Sequence, residues 1–493
     1  MTHLWSGIKG QRAQSYERLP LSEKELTDST PAKPSKPVRF FAAALLVSSL
    51  TLLPSTHAAP VASNKSCDSI NEGYRCSPEI TRFWGQYSLW FSVPSDIDVA
   101  PPQGCDVSFA SVLSRHGGRD PTANKGIAYG GLIGYIQSSN ATFTDEFAFL
   151  KDYKYTLGSD QLTDAGRQEL VNSGAHFYRR YSSFLDNHTP FVRSSGQDRV
   201  VESAEKWLVG YAQEGKKNAT GKIDVTISEG EGMNNTLSHE ICTDFEDGPI
   251  SDFGHDAQDI WESKFVPPIQ ARVNAKLGMN LTTAETIYLM DMCSFDTLAS
   301  PTATVSDFCY LFTEDEWHQY DYYETLGKYY GHGNGNPLGP TQGVGYVNEL
   351  IARLTEQPVN DHTNTNSTLD SDPATFPLDR KAYADFSHDN DMSSIFSALG
   401  LYNTTEPLSN STVQGTDETN GFSASWTVPF AARMYVEKLA CGGEEDFVRI
   451  IVNDRVIPLE FCGGDEDGKC TLSKFVESQS FARGGGHWDQ CYV

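Results

Sequence analysis

The sequence has no CxxC pair and no HExxH, so zinc binding has no ligand spacing to rest on. Basic residues are scarce: 38 Lys and Arg stand against 65 Asp and Glu, for a formal charge of −27. That balance argues against a nucleic acid or an anionic membrane as partner. There is no internal repeat. The N-terminal apolar run FFAAALLVSSLTLL (40–53) stops at about 14 residues, short of the roughly 20 that a membrane span needs. The glycine-rich stretch GHGNGNPLGPTQGVGY (331–346) lacks the Lys-Ser/Thr ending of a P-loop and reads as a structural turn.

What is present divides the chain into parts. Residues 1–38 are polar and dotted with proline. Residues 39–59 combine Arg39, the apolar run and the small residues of STHAAP, the pattern of a signal peptide with cleavage near Ala58 or Ala59. The alternative for that segment is an uncleaved type II anchor, and either sends residues 60–493 through the secretory pathway. All 10 cysteines follow it, an even number suited to disulfides in an exported chain. Nine Asn-x-Ser/Thr sequons, at Asn64, Asn140, Asn187, Asn218, Asn234, Asn280, Asn366, Asn403 and Asn410, are candidates for glycosylation. The expected location is extracellular.

Three segments share one plan. CDVSFASVLSRHG (105–117) is strand-like and delivers Arg115 and His116 at its end. TPFVRSSG (189–196) is a shorter run taken to end at Arg193. KAYADFSHDN (381–390) alternates and ends in His388 and Asp389. Val200, Val201, Ala204, Trp207, Leu208 and Tyr211 then follow at helical spacing, as do Met392, Ile395, Phe396 and Leu399, with Gly400 as a C-terminal cap. Strand, polar turn and helix in that order predict an α/β sheet with a ligand at the carboxyl ends of the strands. Between roughly 145 and 340 the text turns helical and predicts an inserted, mostly α-helical domain.

The segment RHGGRDP packs Arg115, His116 and Arg119 into five positions, so their mutual repulsion calls for an anionic guest. Phosphate suits the forked donors of arginine best, and Arg193 would add a third fork. Flanking cations lower the basicity of His116, leaving an imidazole that can attack phosphorus in acid. Asp389 is the natural proton donor to the leaving oxygen. This chemistry asks for no metal or other cofactor.

RHGGRDP closely resembles the RHGxRxP motif of the histidine acid phosphatases, and HD at 388–389 resembles their second motif. YLMDMCSFDT, YYGHGNGNPLGPTQGVGYVNELIARLT, ADFSHDN, SWTVPFAARMYVEKLAC and SFARGGGHW are similar to the fungal secreted 3-phytases, and the likeness runs from about Cys67 to the C-terminus. The resemblance implies an α/β domain of the phosphoglycerate-mutase/histidine-phosphatase type with an inserted helical domain. It implies hydrolysis of myo-inositol hexakisphosphate (phytate) or another small phosphomonoester in acid, with no obligate protein partner. His116 would be the phosphorylated nucleophile, Asp389 the proton donor, and Arg115, Arg119, Arg193 and His388 the phosphate ligands, with Asn390 lining the pocket. The family's disulfide order would join Cys67–Cys76, Cys105–Cys441, Cys242–Cys491, Cys293–Cys309 and Cys462–Cys470.

The chain also departs from the family. Gly118 and Asp120 replace an alanine and a tyrosine, and a carboxylate at 120 is expected to weaken dianion binding or to draw Arg119 into an ion pair. NKGIAYGG (124–131) keeps Lys125 alone, and Gly327 precedes Lys328 where the family has two lysines. These changes leave two alternatives to an efficient phytase. One is a broad-specificity phosphatase weak on phytate, and the other a non-catalytic binder of phosphate esters.

Overall fold

In the computed structural model of the protein, residue 70 and residues 80–185, 188–218, 220–403 and 406–492 are described. They belong to one unit, Ala58–Val493. The leader expected over 39–59 lies outside the described residues. Among those described, no helix is long and apolar enough to cross a membrane.

The apolar run after Cys105 forms the ten-residue strand β1 (Asp106–Arg115), buried over its last seven residues. It is followed in chain order by β2 (Phe191–Ser195), β3 (Val225–Ile227), β4 (Ala382–Ser387), β5 (Arg433–Ala440), β6 (Phe447–Val452) and β7 (Arg455–Ile457). They lie in the order β3-β2-β4-β1-β5-β6-β7. The β3-β2-β4-β1 half is parallel and the β5-β6-β7 half antiparallel, with β1 at the junction. Buried strands of this kind read as continuous apolar text because both faces are covered.

The helices that matter here are α1 (Ala123–Ser138), α2 (Asp164–Leu185), α3 (Asp198–Glu214), α4 (Phe253–Leu277), α5 (Thr283–Ala299), α6 (Glu314–Gly331), α7 (Val344–Thr355) and α8 (Asp389–Ala398). Thr282 with Glu285 and Thr313 with Glu316 form capping boxes that start α5 and α6,. Gly400, with φ of +80°, follows the end of α8 in the left-handed conformation that glycine adopts freely,. Helices α2 and α3 run so close together that a Cβ at Gly174 would overlap the Trp207 carbonyl, and one at Gly210 the Val171 carbonyl.

The helical insertion expected at roughly 145–340 is not one continuous block. Strands β2 and β3 fall inside that span, and Phe177, Trp207 and Leu208 of α2 and α3 share a core with Val112, Val192, Ala384 and Phe386 of the sheet. Trp261, Phe265, Phe295 and Trp317 of α4, α5 and α6 belong to a second core, which they share with Phe109, Leu113, Met434 and Val436 of the sheet. The reason is periodicity: α2 and α3 bury an amphipathic stripe against strands far apart in sequence, which a local reading cannot see.

Among the described residues four disulfides are formed, Cys105–Cys441, Cys242–Cys491, Cys293–Cys309 and Cys462–Cys470, in the order the resemblance implied; Cys67 and Cys76 lie outside the described residues. Of the sequons, Asn140, Asn218, Asn280 and Asn403 are exposed and Asn410 is half-buried. Asn234 donates its amide to the Thr365 carbonyl at 2.7 Å, and Asn366 caps a short helix by accepting the Leu369 N–H. Asn64 and Asn187 are not among the described residues.

Candidate active site

Parallel pairing brings Arg115 of β1 level with Ser387 of β4, so the residues after each strand emerge side by side. The His116 N–H donates to the Ser387 carbonyl at 3.1 Å, and the rings of His116 and His388 meet edge-on with centroids 5.6 Å apart. The turn after β1 is pinned on every side. The Gly117 N–H donates to Ser203 Oγ of α3 and the Gly118 N–H to Glu169 Oε2 of α2, while the Gly118 carbonyl accepts from Thr163. Gly117 and Gly166 touch backbone to backbone, and a Cβ on either would collide with the other segment. A polar cavity of about 350 Å³ opens above this turn, lined among others by Gln86, Tyr87, Arg119, Arg199, Glu229, Lys328, His388, Asp389 and Asn390.

His116 is 1 % exposed. Its Nδ1 lies 2.8 Å from the Gly117 carbonyl, so that nitrogen carries the hydrogen and the Nε2 lone pair is left free. Burial, and after it Arg115, Arg199, His388 and Arg119, holds its protonation well below the ordinary histidine range. Arg115 lies on the Phe430 ring at 4.4 Å and donates Nη1 to the carbonyls of Gln86 and Val428. Burial lowers its guanidinium to about 10, with the nearby charge of Arg119 adding to the effect and Asp389 opposing it. Arg199 is likewise lowered to about 10, by burial and then by Arg119. Buried nitrogens of three guanidiniums, Nε of Arg115, Arg119 and Arg199, have no hydrogen-bond partner. Buried donors of this kind are rare and call for an acceptor.

Asp389 opens α8. Its Oδ2 accepts from Lys328 Nζ at 2.6 Å and lies 3.4 Å from Arg115 Nη2. Burial works against its charge, but Arg115 and Lys328 outweigh burial and hold the carboxyl well below the usual range. Asn390 accepts from the same lysine at 2.6 Å. His388 Nε2 bonds Glu229 Oε1 at 3.0 Å.

Arg193 does not join this group, contrary to the expectation. Strand β2 continues to Ser195, so Arg193 sits in its middle, level with Asp385 of β4. Its Nε donates to Asp385 at 2.8 Å and its Nη2 to Glu349 at 2.6 Å, in a buried cluster completed by Arg353. Arg199, at the second position of α3, takes the place expected of it. The sequence did hold a signal: a cation in the first turn of a helix opposes the macrodipole and needs a reason. Lys125 also turns away, donating to Asp291 at 3.0 Å and to the Tyr87 hydroxyl at 3.2 Å. Asp120 does not capture Arg119. Its carboxylate accepts the Gly158 N–H at 3.0 Å, while Arg119 Nη1 donates to the Asp120 carbonyl at 2.9 Å. Glu229, Glu169, Gln86 and Tyr87 escaped the sequence reading because strands and helices distant in the chain bring them in.

Residues 106–453 match the model of the histidine phosphatase superfamily, branch 2. The chain belongs to that superfamily. It is 50 % identical to Phytase A of Emericella nidulans over 464 residues, covering 92 % of this chain and 99 % of that protein. It is 52 % identical to Phytase A of Aspergillus awamori over 450 residues, covering 88 % and 95 %. In fold it is similar to the phytase from D. castellii, with a TM-score of 0.70, 24 % identity, and 84 % and 87 % of the two chains covered. A Bifidobacterium longum multiple inositol polyphosphate phosphatase complexed with inositol hexasulfate superposes with a TM-score of 0.60 at 13 % identity, over 81 % and 97 %.

Proposed function

We propose that the protein is a secreted histidine acid phosphatase of phytase type, releasing phosphate from phytate and simpler phosphomonoesters through a phosphohistidine. The observation that carries this reading is the set of unpartnered buried guanidinium nitrogens around an unprotonated His116. Arg115, Arg119 and Arg199 hold the phosphoryl oxygens and neutralise the charge that moves in the transition state. His388 contributes a further donor from the end of the neighbouring parallel strand β4.

His116 Nε2 attacks phosphorus, the P–O ester bond breaks, and the leaving oxygen takes a proton from Asp389. In the unliganded site Asp389 is ionised, held so by Arg115 and Lys328. A bound phosphate competes for Arg115, withdraws that stabilisation, and raises the carboxyl toward the protonated state a donor needs. In the second step water attacks the phosphohistidine, the P–N bond breaks, and Asp389, now a carboxylate, accepts the water's proton. A carboxyl that serves as acid and then base fits a site where its charge is tuned by the guest.

The outer wall favours simpler esters beside phytate. Lys125 is committed to Asp291, and Glu229, Glu240 and Asp391 line the cavity with Lys328. The four disulfides and the exported-protein pattern support an extracellular location. The test is release of phosphate from phytate and from an aryl phosphate in acid by wild type and by His116→Ala. Loss of turnover on both substrates in the variant is expected. A wild type that binds phosphate esters without turning them over would instead establish a binding protein.

A further inference from the structure

Glu169 lies in α2 directly behind the turn that carries His116, 5 % exposed. Its Oε2 accepts the Gly118 N–H at 2.9 Å and its Oε1 the Trp90 N–H at 3.1 Å. The reaction derived above does not use it. Its place is odd, because the turn it grips bears the arginines that gather an anion. A negative charge behind that turn opposes a dianion in front of it, and the buried surroundings screen little.

The cations facing Glu169 are Arg115 from β1 and Arg433 from β5. Arg115 is paired with Asp389, and Arg433 stacks on the Trp90 ring with its centre 3.6 Å from the centroid. From α5 the apolar Leu298 side chain closes on the same turn at Gly118. We propose that Glu169 is a positioning residue, holding the anion-binding turn through Gly118 and taking up a proton when a phosphate dianion binds. This rests on the phosphatase reading of the site.

Burial pushes the Glu169 carboxyl up to about 7, against the two N–H donors and the two arginines. Its neutral form is therefore in place in acid and disappears as the pH rises through neutrality. The proton needs no rearrangement, since a protonated carboxyl oxygen still has a lone pair for the backbone donor. Linkage makes the effect reciprocal: the dianion favours the proton by the same factor that the proton favours the dianion.

Sulfate is the probe, because it is a dianion with no proton to exchange in the working range. Calorimetric titrations of wild type and Glu169→Gln, on both sides of neutrality and in two buffers of different ionisation enthalpy, give affinity and proton count together. Wild type is expected to lose up to about tenfold in affinity per pH unit above neutrality and to take up protons on binding. Glu169→Gln, whose neutral amide oxygen still accepts a backbone N–H, is expected to lose that part of the slope and of the uptake. Equal slopes and equal proton counts in the two proteins would overturn the inference while leaving the phosphatase reading intact. Should the variant not fold, infrared difference spectra of wild type carry the test. Sulfate added just above neutrality is expected to bring up the C=O band of a protonated carboxyl, and its absence overturns the inference. A wild type that binds no sulfate at any pH would remove the anion site itself, and with it both readings.

Discussion

At the scale of single residues, two arginines six positions apart do opposite work. Arg199 faces the cavity with an unpartnered nitrogen, whereas Arg193 is locked between Asp385 and Glu349. Arg199→Ala is expected to lower kcat/KM by about 10²–10³, the range for removing one transition-state donor, and to leave the melting temperature nearly unchanged. Arg193→Ala is expected to destabilise the fold by about 3–5 kcal/mol, because it leaves buried carboxylates uncompensated. Steady-state kinetics and thermal melts on the pair separate the two roles, and the reverse pattern would return Arg193 to the site. Asp389→Asn is expected to slow alkyl phosphate esters far more than aryl ones, since only a poor leaving group needs the proton. Equal losses on both substrates would remove Asp389 as donor. His116, Arg115 and Arg119 were legible because a short motif carries them together on one turn. Arg199 was not, because the end of β2 was placed two residues early.

At the scale of elements, the site depends on how α2 and α3 clamp the turn after β1. Ser203 of α3 holds Gly117 and Glu169 of α2 holds Gly118. The two helices touch where Gly174 and Gly210 leave no room for a side chain. Gly210→Ala is expected to cost about 1–3 kcal/mol by forced overpacking, read as a lower melting temperature together with reduced kcat. Gly131→Ala, with nothing near the added Cβ and inside the helix α1, is the control and is expected to stabilise slightly. Helix α3 and its apolar stripe were visible as periodicity. Its close contact with α2 was not, because two helices that meet through glycines leave no pattern in either stripe.

At the scale of the whole molecule, the buried acids set how stability follows pH. Burial raises Glu169 and Glu324 to about 7, above the ordinary carboxylate range. Their neutral folded forms support stability fully in acid, and that support is lost as the pH climbs from about 4.5 through about 7. His239 is raised to about 9 by Asp391 and Glu246 against burial, so its contribution is full below about 6.5 and is lost as the pH rises from there through about 9. Asp385 is lowered to about 2 by Arg193 and Arg353, which overcome burial. Its contribution is present above about 4 and is lost only as the pH falls through about 2. His176, lowered to about 4 by burial and Arg433, works the other way and gives up its share between about 6.5 and about 4. Glu169, Glu324 and Asp370, the last raised by burial and Glu349 to about 8, act together with His239 against the lowered His116, His176 and His332. The melting temperature is expected to be higher near pH 5 than near pH 8, checked by calorimetry in matched salt. A higher value at the alkaline end would mean that the buried carboxyls are ionised in the folded protein.

The sequence by itself determined the local chemistry: the RHGGRDP turn, the HD pair, the strand-turn-helix order and the cysteines that form four disulfides. The turn, the pair and the strand-turn-helix order are each written within short contiguous stretches, where backbone geometry and residue type act directly, whereas the disulfides join cysteines as far as 336 residues apart and their pairing followed from the resemblance. Only the tertiary structure decided which arginine faces the guest, that Lys328 and not Lys125 reaches Asp389, and that a buried glutamate backs the anion-binding turn. Those outcomes depend on strand register and helix packing between segments from 51 to 192 residues apart. Burial and charge act there through space, and nothing in the order of residues along the chain records that distance.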